Sequence, residues 1–158
     1  MPYINDPAPG ATSDPAPGKI MKLDVLVSSA ELLALFATPK TIVPAPGAGL
    51  ALVFEGAAIH KPAGTAYAGV AVGEDLTVKY TNQAGAEVAQ CETTGFLDQA
   101  TAQTRYVRPH TAASLISSLT PTDNAALVLA LLVGEITTGN SPLHVRYFYR
   151  VVPAAAFA

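Results

Sequence analysis

A chain of 158 residues with a formal net charge of −3 and only 13% charged residues is long enough for one domain with a single core, and it is poorly suited to nucleic acid. Phosphate binding needs clustered Lys and Arg, whereas the nine basic residues are scattered, with only Arg105 and Arg108, and Arg146 and Arg150, close together. Half of the residues are apolar, so much of the exterior must be Ala, Thr, Ser, Gly and Pro, a surface suited to cover by copies of the chain or by another protein.

The chain opens on a repeat: Asp6-Pro7-Ala8-Pro9-Gly10 returns as Asp14-Pro15-Ala16-Pro17-Gly18. Proline fixes φ and removes the amide donor, so five prolines among the first seventeen residues exclude a helix or an interior strand and favour an extended, polyproline-like path. Residues 1–19 read as an arm and 20–158 as the body, with Pro7, Pro9, Pro15 and Pro17 as the arm's partner contacts. The first six residues contain neither a basic segment nor an apolar one, so export through a signal peptide is not expected.

Ile20 to Val27 alternates Ile20, Lys22, Asp24 and Leu26 against Met21, Leu23, Val25 and Val27, the pattern of a half-buried strand. Ser28 and Glu31 have the spacing of a capping box, which predicts one or two helical turns before Pro39. A short strand follows at Thr41 to Val43, and a longer one at Leu50 to Ile59. Asp75 to Thr81 alternates Leu76, Val78 and Tyr80 against Thr77, Lys79 and Thr81, which predicts a strand with one wet face. Asn82 to Gly85 then turns the chain into Glu87 to Glu92, the second arm of a hairpin.

Gly95 to Gln103 is expected to form a short helix and Arg105 to Arg108 a strand, while Ala113 to Leu119 fits either type. The longest apolar run, Ala125 to Val133, is too short to cross a bilayer, which takes about twenty residues in a helix, and belongs to a core strand over Ala126 to Ile136. Leu143 to Val152 closes the chain, with Leu143, Val145, Tyr147, Tyr149 and Val151 on the core face and His144, Arg146, Phe148 and Arg150 on the other. Many short strands between Gly and Pro turns predict an all-β, antiparallel, jelly-roll-like β-sandwich with short helices and an extended N-terminal arm.

No catalytic constellation stands out. His60, His110 and His144 are far apart with no second ligand at metal-binding spacing, and no phosphate-cradling loop or nucleophile elbow is present, so no metal, cofactor or catalytic residue is expected. Glu74 and Asp75 are adjacent, would point to opposite faces of a strand, and suit capping or turn roles, as does Asp98. The single cysteine, Cys91, excludes an internal disulfide, fits folding in a reducing cytoplasm, and reads as a small buried apolar residue. Phe148 between Arg146 and Arg150 has the composition of a partner contact.

The Leu-Leu-Ala-Leu turn within Ser29 to Ala37, Thr41-Ile42-Val43-Pro44-Ala45-Pro46-Gly47, Tyr67-Ala68-Gly69, Asp75 to Tyr80 and a closing hairpin over Asn124 to Val152 together resemble small structural proteins of tailed bacteriophages, above all head decoration, or cement, proteins. That resemblance implies a non-enzymatic virion protein made in the host cytoplasm. It would sit on the capsid surface as a homo-oligomer, expected to be a trimer, and bridge major capsid subunits without contacting nucleic acid or membrane. The duplicated repeat of the arm departs from the family pattern. A tail or fibre-base adaptor is the alternative, and a carbohydrate-binding module using Phe148 and the tyrosines a third reading.

Overall fold

Alternating side chains build the first strand as expected: in β1 (Met21–Val27) the odd-numbered residues turn inward and the even-numbered ones are exposed. A computed structural model describes residues 18–109 and 120–157. The arm prolines, His110 and the ambiguous segment Ala113 to Leu119 lie outside the described residues. After β1 come α1 (Ser29–Leu33), β2 (Lys40–Val43), β3 (Leu50–Lys61), β4 (Asp75–Tyr80), β5 (Glu87–Glu92), β6 (Gln103–Val107), β7 (Leu127–Leu131), β8 (Leu143–Pro153) and a final 3-10 turn at Ala154–Phe157.

The strands form two four-stranded antiparallel sheets, ordered β1-β8-β3-β6 and β2-β7-β4-β5. Their inner faces share one core, with Leu52, Phe54, Ile59, Val145 and Tyr147 from the first sheet meeting Leu76, Val78, Leu127, Leu129 and Leu131 from the second. The molecule is therefore an all-β sandwich. Tyr80 Oη donates to Leu52 O at 2.6 Å and ties one sheet to the other, and Tyr67 Oη donates to Ser141 O at 2.6 Å. Tyr147, 1% exposed, has no hydrogen-bond partner for its hydroxyl among the described residues. Because an unpaired buried hydroxyl is costly, Tyr147→Phe is expected to leave stability unchanged or raise it by up to about 1 kcal/mol, whereas Tyr80→Phe should lower it by about 1 kcal/mol. Urea unfolding midpoints of the two variants check this.

The capping box forms: Ser28 Oγ accepts from Glu31 N, and Glu31 Oε2 accepts from Ser28 N at 2.8 Å. Lys40 pairs with the same carboxylate, and together these partners hold the Glu31 carboxyl well below its usual range, at about 2. The β4–β5 hairpin forms as well. A Cβ at Gly85 would lie 1.6 Å from Tyr80 O, so the turn closes only with glycine there.

Three expectations need correction. The second face of β4 is not wet, since Thr77 and Lys79 are 0% and 8% exposed. β4 is an inner strand of its sheet, and the hairpin turn folds back so that Lys79 Nζ reaches Gln83 O at 2.8 Å and Gln83 Nε2 reaches Leu131 O at 2.8 Å. Gly95 to Gln103 is not a helix: the amides of Phe96 and Leu97 both donate to Thr93 O in a single turn, Gly95 takes a left-handed φ of 72°, and both apolar side chains enter the core. β6 then starts at Gln103. The long strand expected over Ala126 to Ile136 is only Leu127–Leu131, and it makes no closing hairpin with β8, because β7 pairs with β2 and β4 while β8 pairs with β1 and β3. The chain crosses from one sheet to the other between them.

Candidate interaction face

The expected division of the last strand is present. Leu143, Val145 and Tyr147 are buried, Tyr149 and Val151 pack against the core, and His144 and Arg146 are exposed. Antiparallel register spreads that outer face over four strands. Leu26, His144, His60 and Thr104 form one row, and Asp24, Arg146, Ala58 and Tyr106 the next. Phe148 follows between Lys22 and Gly56, the latter at the bulge that carries Glu55.

Arg146 forms a fork on Asp24, with Nε to Oδ1 at 2.6 Å and an NH2 nitrogen to Oδ2 at 3.0 Å. The guanidinium holds the Asp24 carboxyl below its ordinary range, and the carboxylate raises the Arg146 value in return. A bulge between Phe54 and Gly56 leaves Glu55 outside the regular register, and Arg150 Nε lies 2.9 Å from Glu55 Oε1. The N–H of Arg150 is not aligned with that oxygen, so the contact is an ion pair by distance rather than a directed hydrogen bond. Both arginines flanking Phe148 thus have partners within the chain. Exposed pairs of this kind contribute little stability, and Phe148 between them is half-buried.

Large apolar groups stand out on the same face: Leu26 is 54% and Tyr106 83% exposed. Beside Leu26 runs an open groove of about 530 Å³, bordered by Leu26, Ala58, His60, Thr104, His144 and the Asp24–Arg146 pair. Of the residues singled out in the sequence, Arg146, Phe148 and Arg150 come together here; Leu26, Tyr106, His60 and His144 join them only through the register. Strand alternation put Leu26 on the exposed face of β1, but nothing local to residue 106 or residue 60 says which strand lies beside it.

The other reactive groups are occupied elsewhere. Glu74 is 1% exposed and its carboxylate accepts from the amides of Leu132, Val133 and Gly134 at 2.7, 3.0 and 2.8 Å, a capping role. Asp98 accepts from Gln99 Nε2 at 3.0 Å. Cys91 is buried, and desolvation pushes its thiol up to about 11, which disfavours the nucleophilic thiolate. Arg105 donates to Gly95 O at 2.6 Å and lies over the Phe96 ring. Among the described residues no three His, Cys, Asp or Glu side chains converge as metal ligands, and no helix is long and apolar enough to cross a membrane. The outer face is thus aromatic and aliphatic around an open groove, with Arg146 and Arg150 paired to carboxylates of the same chain. Comparison with protein-family models, with curated proteins and with solved structures finds no match to the chain.

Proposed function

We propose that the protein is a virion structural protein of a tailed bacteriophage, a head decoration protein that binds the capsid surface as a homo-oligomer and stabilises it by bridging major capsid subunits. The observation that carries this reading is the strand order. Pairing joins the first strand to the last, the second to the seventh, the third to the sixth and the fourth to the fifth. One long hairpin rolled up on itself produces that set of pairs, and β8 beside β3 and β7 beside β4 are the contacts its rolling adds. This supports a jelly-roll connectivity, an architecture that recurs in viral capsid domains. Fold alone does not assign a role, and the outer face of the first sheet supplies the second support, an apolar and aromatic surface on a chain of low charge.

In this reading the trimer uses the Arg146, Phe148 and Arg150 face, and the arm lies over neighbouring shell subunits with Pro7, Pro9, Pro15 and Pro17 in contact. Gly18 N donates to Val151 O at 3.0 Å, which anchors the end of the arm beside β8. Repeated weak contacts on a lattice then add through high local concentration. No acid, base or nucleophile is needed, and no cofactor.

Immunogold electron microscopy of virions tests the location: label over the heads is expected, and label confined to tails would replace this reading with that of a tail or fibre-base adaptor. Mass in solution and co-sedimentation with shells test the surfaces. Phe148→Ala should lower the oligomer mass with a melting temperature within a few degrees of the parent, and removing residues 1–18 should weaken shell binding at least tenfold while leaving the melting temperature similarly unchanged. A Phe148→Ala variant that melts early at unchanged mass would return Phe148 to a purely packing role, and shell binding unaffected by loss of the arm would remove the arm from docking.

A further inference from the structure

Two histidines that are remote in sequence face each other across the middle of the first sheet. His60 on β3 stands opposite His144 on β8, their ring centroids 6.3 Å apart and their planes inclined at 42°. Both side chains are exposed and both border the groove. On the neighbouring strand Thr104 occupies the same row, and its Oγ1 lies 3.0 Å from His60 Nδ1. In the tautomer whose Nδ1–H donates to that hydroxyl, the lone pair of His60 is on Nε2. A hydrogen bond from the second ring nitrogen is the usual way in which a metal-binding imidazole is oriented.

We infer that His60 and His144 form a two-imidazole site for a borderline divalent transition-metal ion, of which Zn²⁺ is the representative. Metal–imidazole bonds of about 2.0–2.1 Å let one ion bridge rings whose centroids are roughly 5–6 Å apart, so a small rotation of the two exposed side chains brings both nitrogens into range. Ala58, beside His60 in the groove, leaves room for the ion's remaining ligands. Local charge does not oppose binding: Arg146, the cation that borders the groove, is engaged in its fork on Asp24, and Lys61, next in sequence to His60, turns away and donates to Gln99 O at 2.7 Å and Thr101 O at 3.2 Å. Imidazole nitrogen selects Zn²⁺, Ni²⁺ and Cu²⁺ over Mg²⁺ and Ca²⁺, which require oxygen cages. No third protein ligand converges on the pair among the described residues, so we take water to complete the coordination. The site is accordingly exchangeable, and it is distinct in kind from a closed structural zinc site.

This inference does not rest on the capsid reading, although the pair lies on the same outer face as the proposed oligomer contact, and it is tested on the isolated full-length protein. Titration calorimetry with Zn²⁺ in a non-chelating buffer should show one ion bound per chain. His60→Ala and His144→Ala should each weaken binding at least tenfold, and His110→Ala should leave it unchanged. Zn²⁺ should raise the melting temperature of the parent and of His110→Ala but of neither other variant, which also verifies that the exposed substitutions still fold. With Cu²⁺ as the probe, electron paramagnetic resonance should show two coupled nitrogens in the parent and one in each single variant. Absence of saturable Zn²⁺ binding by the parent, undiminished binding by His60→Ala or His144→Ala, or loss of binding in His110→Ala would each overturn it.

Discussion

Replacing Glu74 by alanine is expected to cost about 3 kcal/mol of folding stability, more than any substitution on the proposed docking face. The carboxylate is nearly fully buried and is the acceptor for three successive amides, Leu132, Val133 and Gly134. Hydrogen bonds to a charged acceptor contribute about 1.5–3 kcal/mol each when removed singly, but three sharing one carboxylate are not additive. Water also reaches part of the turn in the variant, because Val133 is 49% exposed. The segment matters because it begins the crossing from β7 in one sheet to β8 in the other. Glu74 is held from its other side as well, since Thr93 Oγ1 donates to its carbonyl oxygen. Glu74→Asp, one methylene short of the amides, should fall between the parent and Glu74→Ala. Urea unfolding measures this, and a loss below about 1 kcal/mol for Glu74→Ala would show that solvent replaces the carboxylate without difficulty.

Stability should collapse as the pH is raised from about 9 to 12. Burial pushes the phenols of Tyr67 and Tyr80 up from 10 to about 12, raises Tyr147 further, and raises the Cys91 thiol from 9 to about 11. For each of these groups the folded value lies above the unfolded one, so the native state retains protons that the unfolded chain releases. Their contribution is complete below the unfolded pKa and is lost as the pH climbs toward the folded pKa. For Tyr67 and Tyr80 that loss falls between pH 10 and pH 12. Ionisation would also remove the donors of the bonds to Ser141 O and Leu52 O, placing phenolate against carbonyl oxygen. Lys61 acts in the opposite direction: desolvation lowers its pKa, so its cost to the native state is relieved as the pH approaches the unfolded value of about 10.5. One lysine against several tyrosines and a cysteine does not reverse the outcome. Urea titrations at pH 8, 10 and 11 should show the midpoint falling, with tyrosinate absorbance of the buried rings rising together with loss of the β-sheet circular dichroism. Ionisation of those rings near pH 10 in a chain that keeps its native dichroism would contradict the assignment.

Period-two alternation was sufficient for the inward and outward faces of β1 and β8, because neighbouring side chains on a strand point in opposite directions whatever lies beside them. The Ser28–Glu31 cap and the β4–β5 hairpin were likewise legible, since both close over a few residues and depend on local spacing. Tertiary structure decided everything that depends on which strands are neighbours. Lys79 looked solvent-facing by alternation and is covered because β4 lies inside its sheet beneath a folded-back turn. The apolar run at Leu127–Leu131 carried no alternation, so its sequence did not distinguish a hairpin with β8 from a crossing between sheets. A capping or turn role for Glu74 was legible from its type and place, but which amides it caps is decided by the crossing that brings Leu132, Val133 and Gly134 to it. His60, Thr104 and His144 come from three strands and meet only because β3 lies between β8 and β6, a strand order that no local spacing encodes and that the shared burial of both sheets' apolar faces selects.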